Sequence, residues 1–119
     1  MISRIWHGWT KHEDADRYEQ LLRADVLPGI QRIGGYNGAY LLRRDAANNE
    51  IEFVTITQFT DINAVKSFAG SDYERAVIAS GAHGMLAHYD ERVKHYHTLL
   101  TPSDIRALAS RVSGRNRMI

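Results

Sequence analysis

The chain has 119 residues, of which 44% are hydrophobic and 24% are charged, a balance typical of one globular domain and not of disordered or fibrous proteins. Fifteen basic and fourteen acidic residues leave a net charge of +1, so no overall field draws the protein toward nucleic acid or anionic membranes. The sequence has no cysteine, which excludes disulfides, thiolate nucleophiles and sulfur-ligated metals.

The first quarter of the chain predicts a strand followed by a helix. Residues 2–9 are rich in β-branched and aromatic side chains, which is typical of a strand. Thr10 and Glu13 have the spacing of a capping box, so we expect a helix to begin there. Pro28 and Gly29 are predicted to end that helix.

A β-hairpin is predicted next. Residues 40–44 indicate a strand that follows a bulge at Asn37-Gly38, and residues 45–49 indicate a turn. Residues 50–60 alternate with apolar side chains on both faces. In a domain this small, we expect helices to cover one face of the sheet and a second copy of the chain to cover the other.

The second half predicts another helix, a final strand and a terminal helix. A helix is expected to begin at Asp61, to break at Gly70-Ser71 and to continue for one or two turns over 72–79. Residues 80–84 are predicted to form a flexible joint, and residues 93–100 the last strand. Thr101-Pro102-Ser103-Asp104 predicts the start of a helix that runs to about Val112.

This order of strand, helix, strand, strand, helix, strand predicts an α+β ferredoxin-like βαββαβ sandwich with an antiparallel four-stranded sheet. We assign residues 1–100 to this domain and residues 101–119 to a C-terminal helix and basic tail. Met1 leads directly into a strand, without an apolar signal core, and no run approaches the ~20 apolar residues that span a bilayer. We therefore expect a cytoplasmic protein that binds neither a membrane nor nucleic acid, with its function in a cleft between the sheet and its helices.

Histidine and tyrosine residues are the candidates for chemistry. His7 lies on the first strand, where its imidazole can act as a general base or as a hydrogen-bonded structural group. His95 and His97 share a strand face, where both imidazoles could bind one metal ion, and His7 would be the third ligand. Because no carboxylate is evident beside them, we assign no metal site. Tyr73 either donates its hydroxyl into a cavity or fills the core with the hydroxyl at its edge.

Three segments resemble the antibiotic biosynthesis monooxygenase-like family of dimeric α/β barrels: residues 5–10 (Ile-Trp-His-Gly-Trp-Thr), residues 68–76 (Phe-Ala-Gly-Ser-Asp-Tyr-Glu-Arg-Ala) and residues 93–96 (Val-Lys-His-Tyr). The resemblance covers about residues 1–100. It implies a homodimer in which the open sheets of two subunits pair into a closed barrel. It also implies a small hydrophobic or aromatic ligand.

The cofactor-free members of that family imply an oxygenase. In this interpretation His7 is the base, Asn63 and Tyr73 are polar contacts, and the apolar walls are Trp9, Phe68 and Ile78. Deprotonation gives an electron-rich carbanion or phenolate that reacts with oxygen directly, while fixed donors stabilise the developing oxyanion. No tightly bound redox cofactor is required.

Two alternatives remain open from the sequence. The first is a non-catalytic small-molecule-binding or stress-linked dimer whose cleft is filled by side chains. The second is a haem-binding or haem-degrading protein. In the haem-degrading members of the same family, the positions that form the haem pocket match His7, Phe68 and His83 of this sequence. In that case His83 would bind the haem.

Overall fold

One antiparallel sheet organises the protein, and the computed structural model describes residues 1–112. Its strands are β1 (Ile2–Lys11), β2 (Tyr36–Asp45), β3 (Glu50–Phe59), β4 (Leu86–Tyr89) and β5 (Lys94–His97). They lie in the order β2-β3-β1-β4, and β5 pairs with the same edge of β1 as β4 does. The fourth position of the sheet is thus shared by two short strands. This is the predicted ferredoxin-like α+β sandwich.

The first helical stretch is longer than predicted. A 3₁₀ turn (His12–Asp14) leads into α1 (Ala15–Leu21), a π-helical turn (Leu22–Val26) and α2 (Leu27–Ile30). The predicted end at Pro28-Gly29 is wrong, because both residues lie inside α2. The π-helical turn directly before them already departs from the regular α-helical hydrogen-bond pattern, so the missing N–H of proline is accommodated there.

The predicted capping box at the start of this stretch is also wrong. Thr10 belongs to β1 and is fully buried, and Lys11 precedes the 3₁₀ turn without a side-chain cap. Thr10 pairs with Ile51 on β3 and with Leu86 on β4, and this pairing extends the strand past the point where local spacing indicated a helix start.

The predicted hairpin is confirmed. β2 and β3 pair along nearly their whole length, with a register shift between Tyr36 and Gly38 at the predicted bulge. Asn48 and Asn49 close the turn with φ angles of 61° and 58°, a conformation that asparagine adopts more readily than most residues.

The helix α3 (Ile62–Ala69) begins as predicted, since the Asp61 carboxylate accepts a hydrogen bond of 2.9 Å from the backbone N–H of Ala64. The predicted continuation over 72–79 is wrong, because that segment has no helix and pairs with the sheet edge through a bridge between Arg75 and Arg92. A 3₁₀ turn (Ser80–Ala82) and β4 follow instead of a simple joint.

The core lies between the sheet and the helices. It has two clusters, one around Trp6, Tyr18 and Phe53 and the other around Phe59 and Val65. The opposite side of the sheet, which we name the open face, carries the alternate residues of each strand. Three large side chains on this face are about half exposed: Tyr40 (49%), Leu42 (49%) and Tyr96 (50%).

The C-terminal helix α4 (Pro102–Val112) is confirmed, and Thr101 and Asp104 exchange hydrogen bonds at its start. Residues 102–111 are all exposed, so α4 buries little against the rest of the chain. The basic tail after Val112 lies outside the described residues. Within residues 1–112, no helix is long and apolar enough to cross a membrane.

Candidate functional site

A cleft lies between the sheet and the helices, where the sequence predicted it. Its inner chamber, of about 60 Å³, is lined by residues of the sheet, the first helical stretch and α3, among them Arg4, Trp6, Thr55 and Phe68. A wider cavity of about 410 Å³ opens between α2 and the segment that contains Ala79 and Ser80. Four residues line both spaces: Val26, Ile30, Phe68 and Val77. We call the chamber and this mouth together the interior cleft.

Arg4 is the charged group of the inner chamber. Its side chain points inward from β1, and the residue is only 4% exposed. Nη1 donates to the backbone carbonyl of Tyr73 and contacts Nε2 of His95 at 2.9 Å, while Nη2 donates to the carbonyl of Arg75 at 3.1 Å. The guanidinium carbon lies 5.5 Å from the ring centre of Phe68. Removing such a cation from water costs several kcal/mol unless its partners compensate.

Burial lowers the pKa of both members of this contact. It lowers the pKa of Arg4 to about 10, which leaves the guanidinium charged at neutral pH. Burial, and then the neighbouring charge of Arg4, lower the pKa of His95, so this imidazole is neutral. A guanidinium only donates, so Nε2 of His95 accepts and its proton lies on Nδ1, which is buried without a hydrogen-bond partner among the described residues.

A second cavity, of about 230 Å³, lies on the open face beside His7. It is lined by aliphatic, aromatic and charged residues: Ile5, His7, Trp9, Asp90, Arg92, Lys94 and Tyr96. Nδ1 of His7 lies 2.8 Å from Oε2 of Glu52, and Nε of Arg44 donates to Oε1 of Glu52 at 2.7 Å. The hydrogen bond with His7, followed by that with Arg44, lowers the pKa of Glu52 and keeps its carboxyl ionised. We call this space the open-face cavity.

Trp9 is held on the same face by a stack. The centre of its ring lies 4.6 Å from the centre of the His88 ring, with 11° between the two ring planes. Nε2 of His88 in turn lies 2.8 Å from Oε1 of Glu50. Trp9 therefore forms one fixed aromatic wall of the open-face cavity.

The predicted site residues do not meet in one place within a protomer. Alternation along β1 puts His7 and Trp9 on the open face, whereas Phe68 and Tyr73 lie on the helix side. Phe68 lines the interior cleft, and Tyr73 packs edge-on against His95, with 5.2 Å between the ring centres. The sheet separates the predicted base from the predicted polar contact.

The remaining predicted residues line neither cavity. Asn63 is exposed on α3, where its backbone carbonyl accepts a hydrogen bond from Ser67. Ile78 is partly buried against the core cluster around Trp6. His83 is exposed in the turn after the 3₁₀ segment, and it lines neither the interior cleft nor the open-face cavity.

The three-imidazole arrangement is not formed. His95 points toward the helices and contacts Arg4, while His7 points to the opposite face. In the part of the chain that the structure describes, no group of three or more histidine and acidic side chains could hold a metal ion.

Sequence reasoning missed Arg4 and Glu52. A signal for Arg4 was present, since strand alternation puts it on the same face as Ile2 and Trp6, where a charged side chain is unusual. Glu52 could not be found in this way, because its importance comes from His7 on the neighbouring strand and Arg44 across the hairpin.

The fold is that of antibiotic biosynthesis monooxygenase-like proteins, as the sequence resemblance implied. A Bacillus cereus protein provisionally assigned as an antibiotic biosynthesis monooxygenase matches with a TM-score of 0.59 and 11% identity, over 84% of this chain and 94% of that one. Rv0793 from Mycobacterium tuberculosis matches with a TM-score of 0.58 and 16% identity, over 85% and 97% of the two chains.

A third structure carries a ligand. It is a monooxygenase from the gene ActVA-Orf6 of Streptomyces coelicolor in complex with nanaomycin D, with a TM-score of 0.55 and 14% identity, over 85% of this chain and 91% of that one. At these identities the likeness establishes the shared fold. No protein-family model and no curated protein sequence matches the chain.

Proposed function

We propose that this protein is an oxygenase that acts on a small aromatic or hydrophobic molecule in the interior cleft, without a tightly bound redox cofactor. The observation that carries the proposal is the cleft itself, in which apolar walls lead inward to a buried polar cluster. Sites for small molecules commonly have this form, a mostly apolar concavity with a few placed polar groups. The shared fold with a monooxygenase supports the same class of reaction.

The chemistry follows from substrates that form stabilised anions. An anthrone, for example, gives its proton to solvent, and the resulting carbanion reacts with oxygen directly. Its CH₂ group becomes a ketone, one oxygen atom enters the product, and the other leaves with the two hydrogens as water. Fixed donors near the reacting carbon lower the barrier by stabilising the anion. Phe68, which lines the cleft, is a proposed wall. Ile78 as a second wall and Asn63 and Tyr73 as polar contacts stay proposals from the family resemblance, because none of them lines the cleft.

His7 keeps its proposed role as base only for a ligand in the open-face cavity. Its contact with the ionised Glu52 orients the imidazole, as acidic partners orient catalytic histidines, and Trp9 lines the same space. The reaction therefore has two candidate locations, which separate variants can distinguish. The exposed position of His83 adds no support to haem binding.

Oxygen consumption with a panel of hydroxylated anthrones and quinols tests the proposal. Val77 lines both parts of the interior cleft and is 50% exposed, so a larger side chain there narrows the cleft without disturbing the core. We expect Val77→Trp to lose at least about tenfold in kcat/KM, because the substrate can no longer reach its productive position. Val77→Ala is the matched control and should retain activity.

Two outcomes would contradict this location or this function. Activity that survives Val77→Trp and is lost in His7→Ala would move the reaction to the open-face cavity. An absence of oxygen uptake with every member of the panel would favour the non-catalytic alternative, a binding or stress-linked dimer.

The open face supports a homodimer. Tyr40, Leu42 and Tyr96 expose about half of their surfaces there, and an equivalent face on a second copy would cover them. We propose this face as the dimer interface. A cytoplasmic location and the domain boundary at residue 100 also stay predictions.

A further inference from the structure

We propose that the inner chamber of the interior cleft is an anion site, in which Arg4 pairs with the carboxylate or ionised phenol of an aromatic ligand. The inference deepens the proposed function and rests on it in one respect, since it takes the same cleft as the place where the ligand binds. It adds the chemical class of that ligand, an aromatic monoanion.

The first step is the lack of a negative partner for Arg4. Within residues 1–112, its hydrogen-bond partners are the carbonyls of Tyr73 and Arg75 and the imidazole of His95, all of them neutral. No carboxylate of that part of the chain forms an ion pair with it. Charged side chains are almost never fully buried unless they are paired. A buried guanidinium at only 4% exposure therefore lacks its usual counter-ion.

The second step is an excess of donors over acceptors. Arg4 has five N–H donors, and the described residues accept three hydrogen bonds from it. His95 adds a buried Nδ1–H that has no partner among these residues. Glu74 is the nearby acid, and it raises the pKa of His95 less than Arg4 lowers it. An acceptor-rich, negatively charged group is the chemistry that this cluster lacks.

The third step is the shape of the space beside Arg4. The inner chamber, at about 60 Å³, is several times the roughly 10–15 Å³ that one water molecule needs, so a carboxylate group fits there. The mouth is larger, at about 410 Å³, and its walls include Ile33 and Phe68. A ligand with its charged end in the chamber and its ring in the mouth fits both spaces.

A matched pair of probes tests the charge requirement. We use 4-nitrobenzoate and the neutral 4-nitrobenzamide, because nitroaromatics quench tryptophan fluorescence. Trp6 lines the inner chamber and Trp9 lies on the open face, so Trp9→Phe protein reports through Trp6 alone. We expect the benzoate to bind at least about tenfold more tightly than the amide, since charge-assisted hydrogen bonds are stronger than neutral ones.

Variants then assign the preference to Arg4. In Arg4→Gln the two probes should bind equally, with the affinity for the amide unchanged. Arg92→Gln is the matched control, because Arg92 lines the open-face cavity, and it should keep the preference for benzoate. If Arg4→Gln does not fold, as judged by circular dichroism, both probes are compared in Val77→Phe and Val77→Ala, which add no second tryptophan. Loss of the benzoate preference in Val77→Phe alone then locates the anion site in the cleft.

Several results would overturn the inference. Equal binding of the two probes to the folded Trp9→Phe protein, or a preference that survives in Arg4→Gln, would show that Arg4 serves only to hold the carbonyls of Tyr73 and Arg75. A preference that disappears in Arg92→Gln would assign the charge requirement to the open-face cavity instead. Binding is measured without turnover, so an absence of oxygenase activity leaves the anion site standing. Conversely, activity that depends on Val77 without any benzoate preference would remove the anion site and keep the oxygenase.

Discussion

Glu52 connects the open face to the stability of the fold. Its side chain is 10% exposed and accepts hydrogen bonds from His7 and Arg44. Both contacts lower the pKa of its carboxyl in the folded state. A carboxyl with a lowered folded pKa stabilises the fold at pH values above its unfolded pKa. That contribution is lost as the pH falls through the folded value.

We expect Glu52→Gln to reduce the free energy of unfolding by about 1 kcal/mol at neutral pH, because charge-assisted hydrogen bonds are lost. The loss should become smaller in acid, where the wild-type carboxyl is protonated as well. Urea unfolding of both proteins at neutral and acid pH measures the difference. Glu13→Gln, at an exposed position, is the control. A difference that does not shrink in acid would contradict the assigned role of the carboxylate.

The position of a site residue could be predicted from the sequence only where strand alternation fixes the face of the sheet on which its side chain lies. Strand alternation puts Trp6 and Trp9 on opposite faces, as the structure has them, and the same rule puts His7 with Trp9. The sequence alone could not show that Tyr73 lies across the sheet from His7, because that depends on where an irregular segment folds back.

At the scale of elements, local signals and tertiary packing agree for most of the chain. The hairpin and the start of α3 follow turn and cap chemistry that acts within a few residues. The segment 72–79 has helix-forming residues, yet Arg4 binds its carbonyls and Arg75 pairs with Arg92. These long-range contacts override local propensity, so sequence reasoning placed a helix there and missed β4.

The continuation of the first helical stretch through Gly29 can be tested directly. A Cβ at this position meets nothing within 4 Å, and the residue lies inside α2. Gly29→Ala should therefore raise the free energy of unfolding by about 0.5–1 kcal/mol, because alanine loses less backbone entropy in a helix. Chemical denaturation measures the change. Gly84→Ala, which also meets nothing within 4 Å but lies outside any helix, should change little. Equal effects at both positions would argue that the helix ends before Gly29.

At the scale of the whole molecule, large apolar side chains among residues 1–112 remain exposed in several regions, including the open face and α4. The open face exposes Tyr40, Leu42 and Tyr96, and α4 exposes Ile105 and Leu108. The described chain measures 51 × 33 × 24 Å. A patch of large apolar side chains on a sheet face, beside charged residues at its rim, is typical of a protein interface.

We expect the wild-type protein to be a dimer at micromolar concentration, because pairing two open faces removes these side chains from water. Leu42→Asp should give a monomer, since it places a charge on each copy within the paired apolar surface. Val77→Asp is the matched control: its side chain has nearly the same exposure, 50% against 49%, but lies at the interior cleft. It should remain dimeric. Sedimentation velocity measures both variants, and a well-folded wild-type monomer at micromolar concentration would show that the open face is not a dimer interface.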